Sequence, residues 1–377
     1  MMTGVRRVDA DILKRDVNDL ADAHSDLWRE LDGCRILITG GTGFVGSFVL
    51  HLIAALRHRH GLSIDVLALV RSRKRLQDVL GSDWEGSWLQ VAELDLRAPL
   101  SLKNEGPIEY CIHAASNADP VAYQSDPMGT MMTNVVGTEQ ILQYLADLDT
   151  KPFRVVYLSS VEAYGGHSQE EILKEGDRGS FDPAVVRNCY PISKLAAENL
   201  CAGARLQLGL PVTVARMAYL YGPGDRLDDP KIITLFLRML QEGRDIEMHS
   251  PGLQRRSYCY IKDAVYGIML LLLRGQDSTY NIANGGEEVP IAGVAQQLTQ
   301  LFGRPGGLVR YEQPDQEELA RFSPPEDNIL DTSKIRALGF EAEVGLVQGL
   351  ERTGRYFGMR PSTLQTGNVA RKGMDNE

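Results

Sequence analysis

Tyr190 and Lys194 stand four residues apart in the run Tyr190-Pro191-Ile192-Ser193-Lys194. On a helix those two positions share a face. An ammonium beside a phenol favours the phenolate. The spacing therefore predicts a tyrosine whose pKa is drawn toward neutrality and which takes a proton as a general base. Upstream, Leu158-Ser159-Ser160 closes an apolar run that reads as a strand. A serine hydroxyl at the carboxyl end of a buried strand can hydrogen-bond the substrate oxygen that Tyr190 deprotonates, because ligands bind at that edge of a parallel sheet.

Those groups need a scaffold, and the stretch Arg35–Gly46, RILITGGTGFVG, supplies its first piece. A β-branched run leads into Gly40, Gly41, Gly43 and Gly46, and then into an apolar segment of helical character. Strand, glycine turn and helix together form a dinucleotide-binding unit. The glycines let the backbone turn sharply and let a pyrophosphate approach the helix N-terminus. The spacing is Gly40-x-x-Gly43-x-x-Gly46. Further strands are expected at 64–70, 89–94, 109–114, 153–159 and 211–216, with helices at 44–58, 129–147 and 190–207. Several of these strands are continuous apolar runs, the pattern of strands buried on both faces. The fold class is α/β, a Rossmann-type doubly wound parallel sheet with a smaller C-terminal α/β substrate lobe.

In the lobe the expectation is a turn at 221–225, helices at 231–242, 262–274 and 291–302, a polar loop at 248–257 and a short strand at 280–282. Residues 1–33 read as a helical extension that packs on the body through Ile12, Val17, Leu20, Ala21, Leu27 and Leu31. The domain reading is 1–33 for that extension and 34–217 with parts of 258–285 for dinucleotide binding. It assigns 218–360 mainly to the substrate lobe and 361–377 to a flexible tail.

Composition narrows the classes. A formal net charge of −10 argues against a general nucleic-acid binder, which needs surplus Lys and Arg. The five cysteines, Cys34, Cys111, Cys189, Cys201 and Cys259, include no C-x-x-C pair and read as reduced thiols, with no disulfide framework and no metal site. The longest apolar run, Ile268-Met269-Leu270-Leu271-Leu272-Leu273, falls far short of a membrane span. A cytoplasmic protein without membrane partners is expected.

Taken in order, the motifs become recognisable. They are Gly40-x-x-Gly43-Phe44-Val45-Gly46, His113-Ala114-Ala115-Ser116, Asn134-Val135-Val136-Gly137-Thr138, Ser159-Ser160-x-x-x-Tyr164-Gly165, Tyr190-x-x-x-Lys194, Arg216 and Tyr221-Gly222-Pro223-Gly224. The chain resembles the extended short-chain dehydrogenase/reductase family, the nucleotide-sugar epimerases, dehydratases and decarboxylases, over about 34–357. The resemblance implies that Gly40, Gly43, Phe44, Val45 and Gly46 hold the cofactor pyrophosphate. Asp95 and Leu96 would flank the adenine, and Ala114, Ala115 and Ser116 would lie along the ribose and nicotinamide. Asn134 would be structural or relay protons. Ser160, Tyr190 and Lys194 would take the proton from the sugar C4 hydroxyl while hydride leaves for the nicotinamide, and Lys194 would also bind the nicotinamide ribose. Ser116, Glu162, Arg226 and Arg256 would contact the substrate, Arg256 gripping a diphosphate or a sugar carboxylate. A homodimer through the helices at about 129–147 and 190–207 is also implied.

The branch within the family stays open. Dehydratases resemble T-D-E-V-Y-G and decarboxylases T-S-E-V-Y-G, while epimerases usually lack the carboxylate. This chain has Ser160-Val161-Glu162-Ala163-Tyr164-Gly165. Val161 removes the dehydratase Asp and the decarboxylase Ser; Glu162 keeps the carboxylate. The segment from Ala115 to Pro127 resembles the sugar loop of UDP-glucuronate decarboxylases, whereas Tyr190-Pro191-Ile192-Ser193-Lys194 looks like epimerases. A UDP-glucuronate decarboxylase-like enzyme is the leading expectation. A 4-epimerase and then a 4,6-dehydratase follow, with a one-way carbonyl reductase and an NAD(P)-sensing regulator as readings outside that chemistry. Tyr219 or Ala218 stands where an Asn is usual after Arg216. The expected cofactor is NAD. NADP is the alternative, because the second strand runs into Arg71-Ser72-Arg73-Lys74-Arg75 with no acid for the ribose hydroxyls.

Overall fold

A strand covered on both faces by helices is apolar at every position, and alternate side chains then enter two different cores. The computed structural model describes residues 8–84, 86–102, 106–167, 172–276, 278–312 and 326–362, and shows this arrangement. Seven strands, β1 (Arg35–Thr39), β2 (Asp65–Val70), β3 (Leu89–Glu93), β4 (Tyr110–His113), β5 (Arg154–Ser160), β6 (Val212–Met217) and β7 (Thr279–Ile282), form one parallel sheet. Their order is β7-β6-β5-β4-β1-β2-β3. The reversal beside β1 puts the crevice at the carboxyl ends of β1 and β4, where such sheets bind ligands.

The helices used below are α1 (Ala10–Ala23), α2 (Phe44–His60), α3 (Arg73–Leu80), α4 (Gly137–Ala146), α5 (Cys189–Gln207) and α6 (Ile261–Arg274). Ile36, Ile38, Val66, Ile112 and Val156 share one core with Phe48 and Leu52 of α2 and Ile268 and Leu272 of α6. Leu37, Leu67, Cys111, Val155 and Val214 share the other with Ile141 and Leu145 of α4 and Ala197 and Cys201 of α5. Each such side chain, moved out of water, stabilises the fold by about 1.5–3 kcal/mol. A slip of one residue along a strand would exchange the two cores.

The strands and most helices fall where the sequence places them. The expected single helix at 129–147 is instead three pieces. Pro127–Met131 is followed by a wider π-type turn, Met132–Val136, before α4 begins at Gly137. Asn134 lies in that turn, and such turns cluster at functional sites. The expected loop at 248–257 ends early, since Arg255–Tyr260 is a strand.

That strand pairs in parallel with Tyr219–Tyr221 and antiparallel with Glu288–Pro290, giving a three-stranded sheet beyond the main one. Its core holds Tyr258 and Tyr260 against Phe236, Leu237, Leu298 and Leu350. The flexible tail expected at 361–377 lies, from 363 on, outside the described residues.

The N-terminal extension packs on α2 and α6 through Val17, Leu20, Ala21, Trp28 and Leu31. It is fastened by a charge at its centre. Asp16 is fully buried, accepting from the Tyr260 hydroxyl at 2.5 Å and from Arg352 at 2.8 Å. Leu13 lies beside Gly224 and Phe44, so α1 reaches the first residue of the helix that follows the glycine turn. Among the described residues no helix is long and apolar enough to cross a membrane. No group of three or more His, Cys, Asp or Glu there could hold a metal. All five cysteines are free thiols.

Candidate functional site

The glycine turn leaves room where side chains would fill it. Gly40 has φ +73°, and a Cβ there would lie 2.8 Å from the Ala115 nitrogen. A Cβ on Gly46 would lie 2.3 Å from the Gly40 carbonyl oxygen. The first turn of α2 therefore presses against the turn itself. Gly43 caps α2 with no side-chain hydrogen bond, and no acidic residue sits in that first turn. The helix N-terminus is left open to an anion, with Phe44, Val45 and Gly46 presenting it. Thr39 Oγ1 accepts from the Ala115 nitrogen at 3.0 Å, which ties the end of β1 to Ala114-Ala115-Ser116 after β4. The Ser116 hydroxyl is buried without a partner. Leu96 is buried against Gly137. These observations fit a dinucleotide laid across the crevice.

The second half of the site hangs from the end of β5. Ser160 opens a short 3-10 turn, Val161–Tyr164, and its hydroxyl accepts from the Glu162 nitrogen at 3.2 Å. Gly165 ends that turn at φ +74°, a conformation glycine reaches without strain. Tyr190 and Lys194 lie in the first turns of α5, both buried. The Ser160 hydroxyl is close enough to the Tyr190 phenol to favour its ionised form. The Tyr190 ring stacks on Tyr123, centroids 5.1 Å apart and planes 13° from parallel. Lys194 Nζ donates to the Leu158 carbonyl at 2.7 Å and lies 5.0 Å from the Tyr157 ring centroid and 6.0 Å from that of Tyr190.

One expectation is overturned here. The lysine was to draw the phenol's pKa down. Instead burial, and then the neighbouring Glu162 carboxylate, pushes Tyr190 up from its ordinary value, with only the Ser160 hydroxyl pulling the other way. Burial also lowers Lys194 to about 7, against the pull of Glu198. An i,i+4 spacing says which groups meet. It does not say that both lose water, which disfavours the charged form of each.

Behind the base runs a buried polar chain. Thr39 Oγ1 and His113 Nδ1 are 2.6 Å apart, and His113 Nε2 and Thr138 Oγ1 2.9 Å. Thr138 donates to the Asn134 carbonyl at 2.5 Å. The Asn134 amide donates to Ser193 Oγ at 2.9 Å, and Ser193 donates to the Tyr190 carbonyl at 2.8 Å. The Asn134 side-chain oxygen is buried with no partner. Burial, with Lys194 next, takes His113 down to about 3, so the imidazole is neutral.

A cavity of about 130 Å³ opens on the Glu162 side of the cluster, lined by Glu162, Arg187, His167, Tyr219, Asn328 and Pro191 among others; Ser160, Tyr190 and Lys194 do not line it. Glu162 Oε1 sits 3.5 Å from Arg187, while its other oxygen is buried without a partner. Arg256 is 93% buried by its 7% exposure, its guanidinium 4.3 Å over the Tyr219 ring and its Nε without an acceptor. Tyr219 thus lies among Glu162, Arg187 and Arg256.

Of the residues singled out from sequence, the structure gathers Ser160, Glu162, Tyr190 and Lys194 into one cluster, with Arg256 at Tyr219. It does not bring Arg226 there. That side chain is 60% exposed and ion-paired to Asp228 at 2.5 Å. Asp95 is held by Arg97 at 2.6 Å. Arg71 is exposed at the end of β2. Sequence reasoning missed Arg187; Tyr123 it named only as part of the Ala115–Pro127 segment that resembles a sugar loop, not as a partner of Tyr190. Arg187 carried a faint signal, since it stands three residues before Tyr190 and so within a turn of it.

Comparison with known proteins identifies relatives of the whole fold. UDP-glucuronic acid decarboxylase 6 of Arabidopsis thaliana is 30% identical over 335 residues, covering 86% of this chain and 89% of that one. A dTDP-glucose 4,6-dehydratase from Streptomyces venezuelae, crystallised with NAD bound, is 25% identical with a TM-score of 0.70, covering 86% of this chain and 97% of that one. A UDP-glucose 4-epimerase from Thermotoga maritima has the same fold, with a TM-score of 0.70 at 21% identity over 86% of this chain and 98% of that one. Residues 36–283 match the NAD dependent epimerase/dehydratase family, and the chain belongs to it.

Proposed function

We propose that the protein oxidises the C4 hydroxyl of a nucleotide sugar and then decarboxylates the resulting 4-keto uronic acid, as a UDP-glucuronate decarboxylase does. The observation that carries the reading is the Glu162 carboxylate, one oxygen unpartnered, in the same cavity as Arg187 and beside the Ser160–Tyr190 pair. The Arabidopsis relative bears that activity in its name, and the Streptomyces neighbour binds NAD.

When bound, the oxidised nicotinamide supplies a hydride acceptor for C4 and a positive charge beside the phenol. Ser160 and Tyr190 would hold the C4 oxygen, and Tyr190 would accept its proton as the phenolate, a form that burial disfavours until a cation bound beside it offsets that cost. Lys194 stands behind the phenol with a pKa near 7, able to exchange a proton at neutral pH. In the 4-keto sugar the C5–C6 bond breaks, its electron pair enters the C4 carbonyl and CO2 leaves. A proton would then add at C5 and Tyr190 would return its proton to the C4 oxygen, the reduced nicotinamide held by the glycine turn supplying the hydride for C4. Arg256 and Arg187 offer cationic partners for the carboxylate before it departs. Dehydration across C5–C6 needs a second acid beside Glu162, and buried Val161 supplies none. Epimerisation needs no carboxylate and is the second reading, favoured by the epimerase-like Tyr190–Lys194 segment. The regulator reading has no use for a buried Ser-Tyr-Lys cluster.

The protein is incubated separately with UDP-glucuronate, UDP-glucose and dTDP-glucose and the products followed by NMR. CO2 and a pentose nucleotide from UDP-glucuronate are expected. Inversion at C4 with all carbons retained would overturn the decarboxylase. Net cofactor turnover would favour the one-way reductase. Glu162→Gln is expected to stop chemistry after C4 oxidation and would leave an epimerase little changed. A homodimer, carried over from the family resemblance, is proposed with it.

A further inference from the structure

We propose that the ribose end of the dinucleotide crevice is built for a 2′-phosphate, with Arg71 as its partner. The inference rests on the preceding reading only for the presence of a dinucleotide. A ribose diol is held by a carboxylate after the second strand, whereas a 2′-phosphate needs a cation there. β2 ends at Val70, and Arg71-Ser72-Arg73-Lys74-Arg75 follows.

This corner is part of the cradle. Gly40 donates its N–H to the Leu69 carbonyl at 3.2 Å. A Cβ on Gly41 would lie 3.4 Å from Val70 and 3.7 Å from Leu76. The end of β2 and the first turn of α3 therefore pack directly on the glycine turn. One molecule can place its pyrophosphate on α2 and its adenosine ribose beside Arg71.

The charges there are unevenly committed. Arg73 donates to the Val91 carbonyl at 2.6 Å and lies 6.0 Å from the Trp84 ring, so it is turned toward β3. Arg71 makes no hydrogen bond or ion pair among the described residues. The nearby Asp95 is bound by Arg97, whose contact, like the more distant Arg71 charge, holds it below the usual carboxylate range. Among the described residues Glu93 is a second competing acceptor. It stands beside Val70 in the sheet, and its Oε2 accepts from the Arg73 backbone nitrogen at 2.7 Å. That contact makes it a cap for α3, which opens on three cations with no acid in its first turn. Cations at the positive end of a helix repel it, and a bound anion relieves the repulsion.

The full-length protein, stripped of bound dinucleotide, is titrated calorimetrically with NADP+ and NAD+, and with 2′-phospho-ADP-ribose and ADP-ribose. The phosphorylated member of each pair is expected to bind at least tenfold tighter, with the gap narrowing as salt is raised. Arg71→Ala brings the ratio close to one, and Arg71→Asp inverts it. Equal affinities, tighter NAD+, or a ratio untouched by Arg71→Ala would overturn the proposal. So would a Glu93→Gln variant that loses NAD+ affinity while NADP+ binds no better than NAD+, because Glu93 would then be holding the diol. The ADP-ribose probes carry no nicotinamide, so the result is independent of any turnover. A protein that prefers the phosphate but alters no nucleotide sugar would keep this inference and end the proposed function.

Discussion

The carboxyl edge of the sheet has two halves that work by different physics. Around β1, β2 and β4 the binding surface is mostly backbone: an uncapped helix start, a turn at φ +73°, and two glycines, Gly40 and Gly46, where a Cβ would force the backbone to shift. Around β5, α5 and the strand 255–260 it is mostly side chain. A phenol, an ammonium, a carboxylate and two guanidinium groups are largely withdrawn from water. A backbone site is fixed once the chain folds. A cluster of buried ionisable groups is held at a cost in solvation, and each member sets the charge of the next.

Breaking one group in each half tests the contrast. Tyr190→Phe removes the acceptor for the C4 proton and keeps the stacking on Tyr123. Turnover is expected to fall by about 10²–10⁴-fold, with dinucleotide binding retained. NMR of the sugar products together with calorimetry of the dinucleotide checks both halves at once, and normal turnover would end the mechanism. Gly46→Ala does the reverse. Its Cβ would meet the Gly40 carbonyl at 2.3 Å, so the turn must shift. Dinucleotide affinity is expected to fall at least tenfold and unfolding stability by about 1–3 kcal/mol, read by denaturant melts. Arg187→Gln is smaller still. Losing one charged partner of Glu162 at 3.5 Å is expected to lower turnover about tenfold. Arg187→Lys should recover part of it. A change confined to KM would mark Arg187 as a substrate contact alone.

The two halves also differ in how far the sequence discloses them. The glycine turn was legible because its spacing is a local backbone requirement. The strands were legible because Ile36, Leu37 and Ile38 are buried on both faces, and an unbroken apolar run says so. Tyr190 and Lys194 were legible as neighbours. Their protonation was not, because the desolvation that opposes both charges comes from Tyr123, Tyr157 and the strands beneath, remote in the chain. Arg187 was hidden for the same reason. It precedes α5 in a short turn, and only the fold sets it against Glu162, twenty-five residues earlier. The wider turn at Met132–Val136 breaks no hydrophobic period, so nothing local announced it.

Lys194 offers the sharpest test of the contrast, with the smallest effect. Its folded pKa, about 7, lies below the ordinary value of 10.5. Below pH 7 the amine is charged both folded and unfolded, and the full cost of burying the charge opposes folding. Between 7 and 10.5 the unfolded chain holds a proton that the folded one has released. Stability contributed by this group therefore rises with pH, by at most about 1.4 kcal/mol per unit. Tyr190 adds nothing between pH 7 and 8.5, since its raised pKa separates the two states only as the unfolded phenol ionises near 10. Cys111 and Cys201, pushed up by burial, act in the opposite sense as unfolded thiols ionise above about 8.5. Comparison with Lys194→Met cancels the thiols. The difference in unfolding free energy between the two proteins should grow in favour of the native chain from pH 7 to 8.5, by urea melts of the dinucleotide-free forms. A flat difference would mean the amine stays charged when folded. The phenol would then feel a full cation beside it, as the i,i+4 spacing first suggested, and the side-chain half of the site would be as rigidly set as the glycine turn.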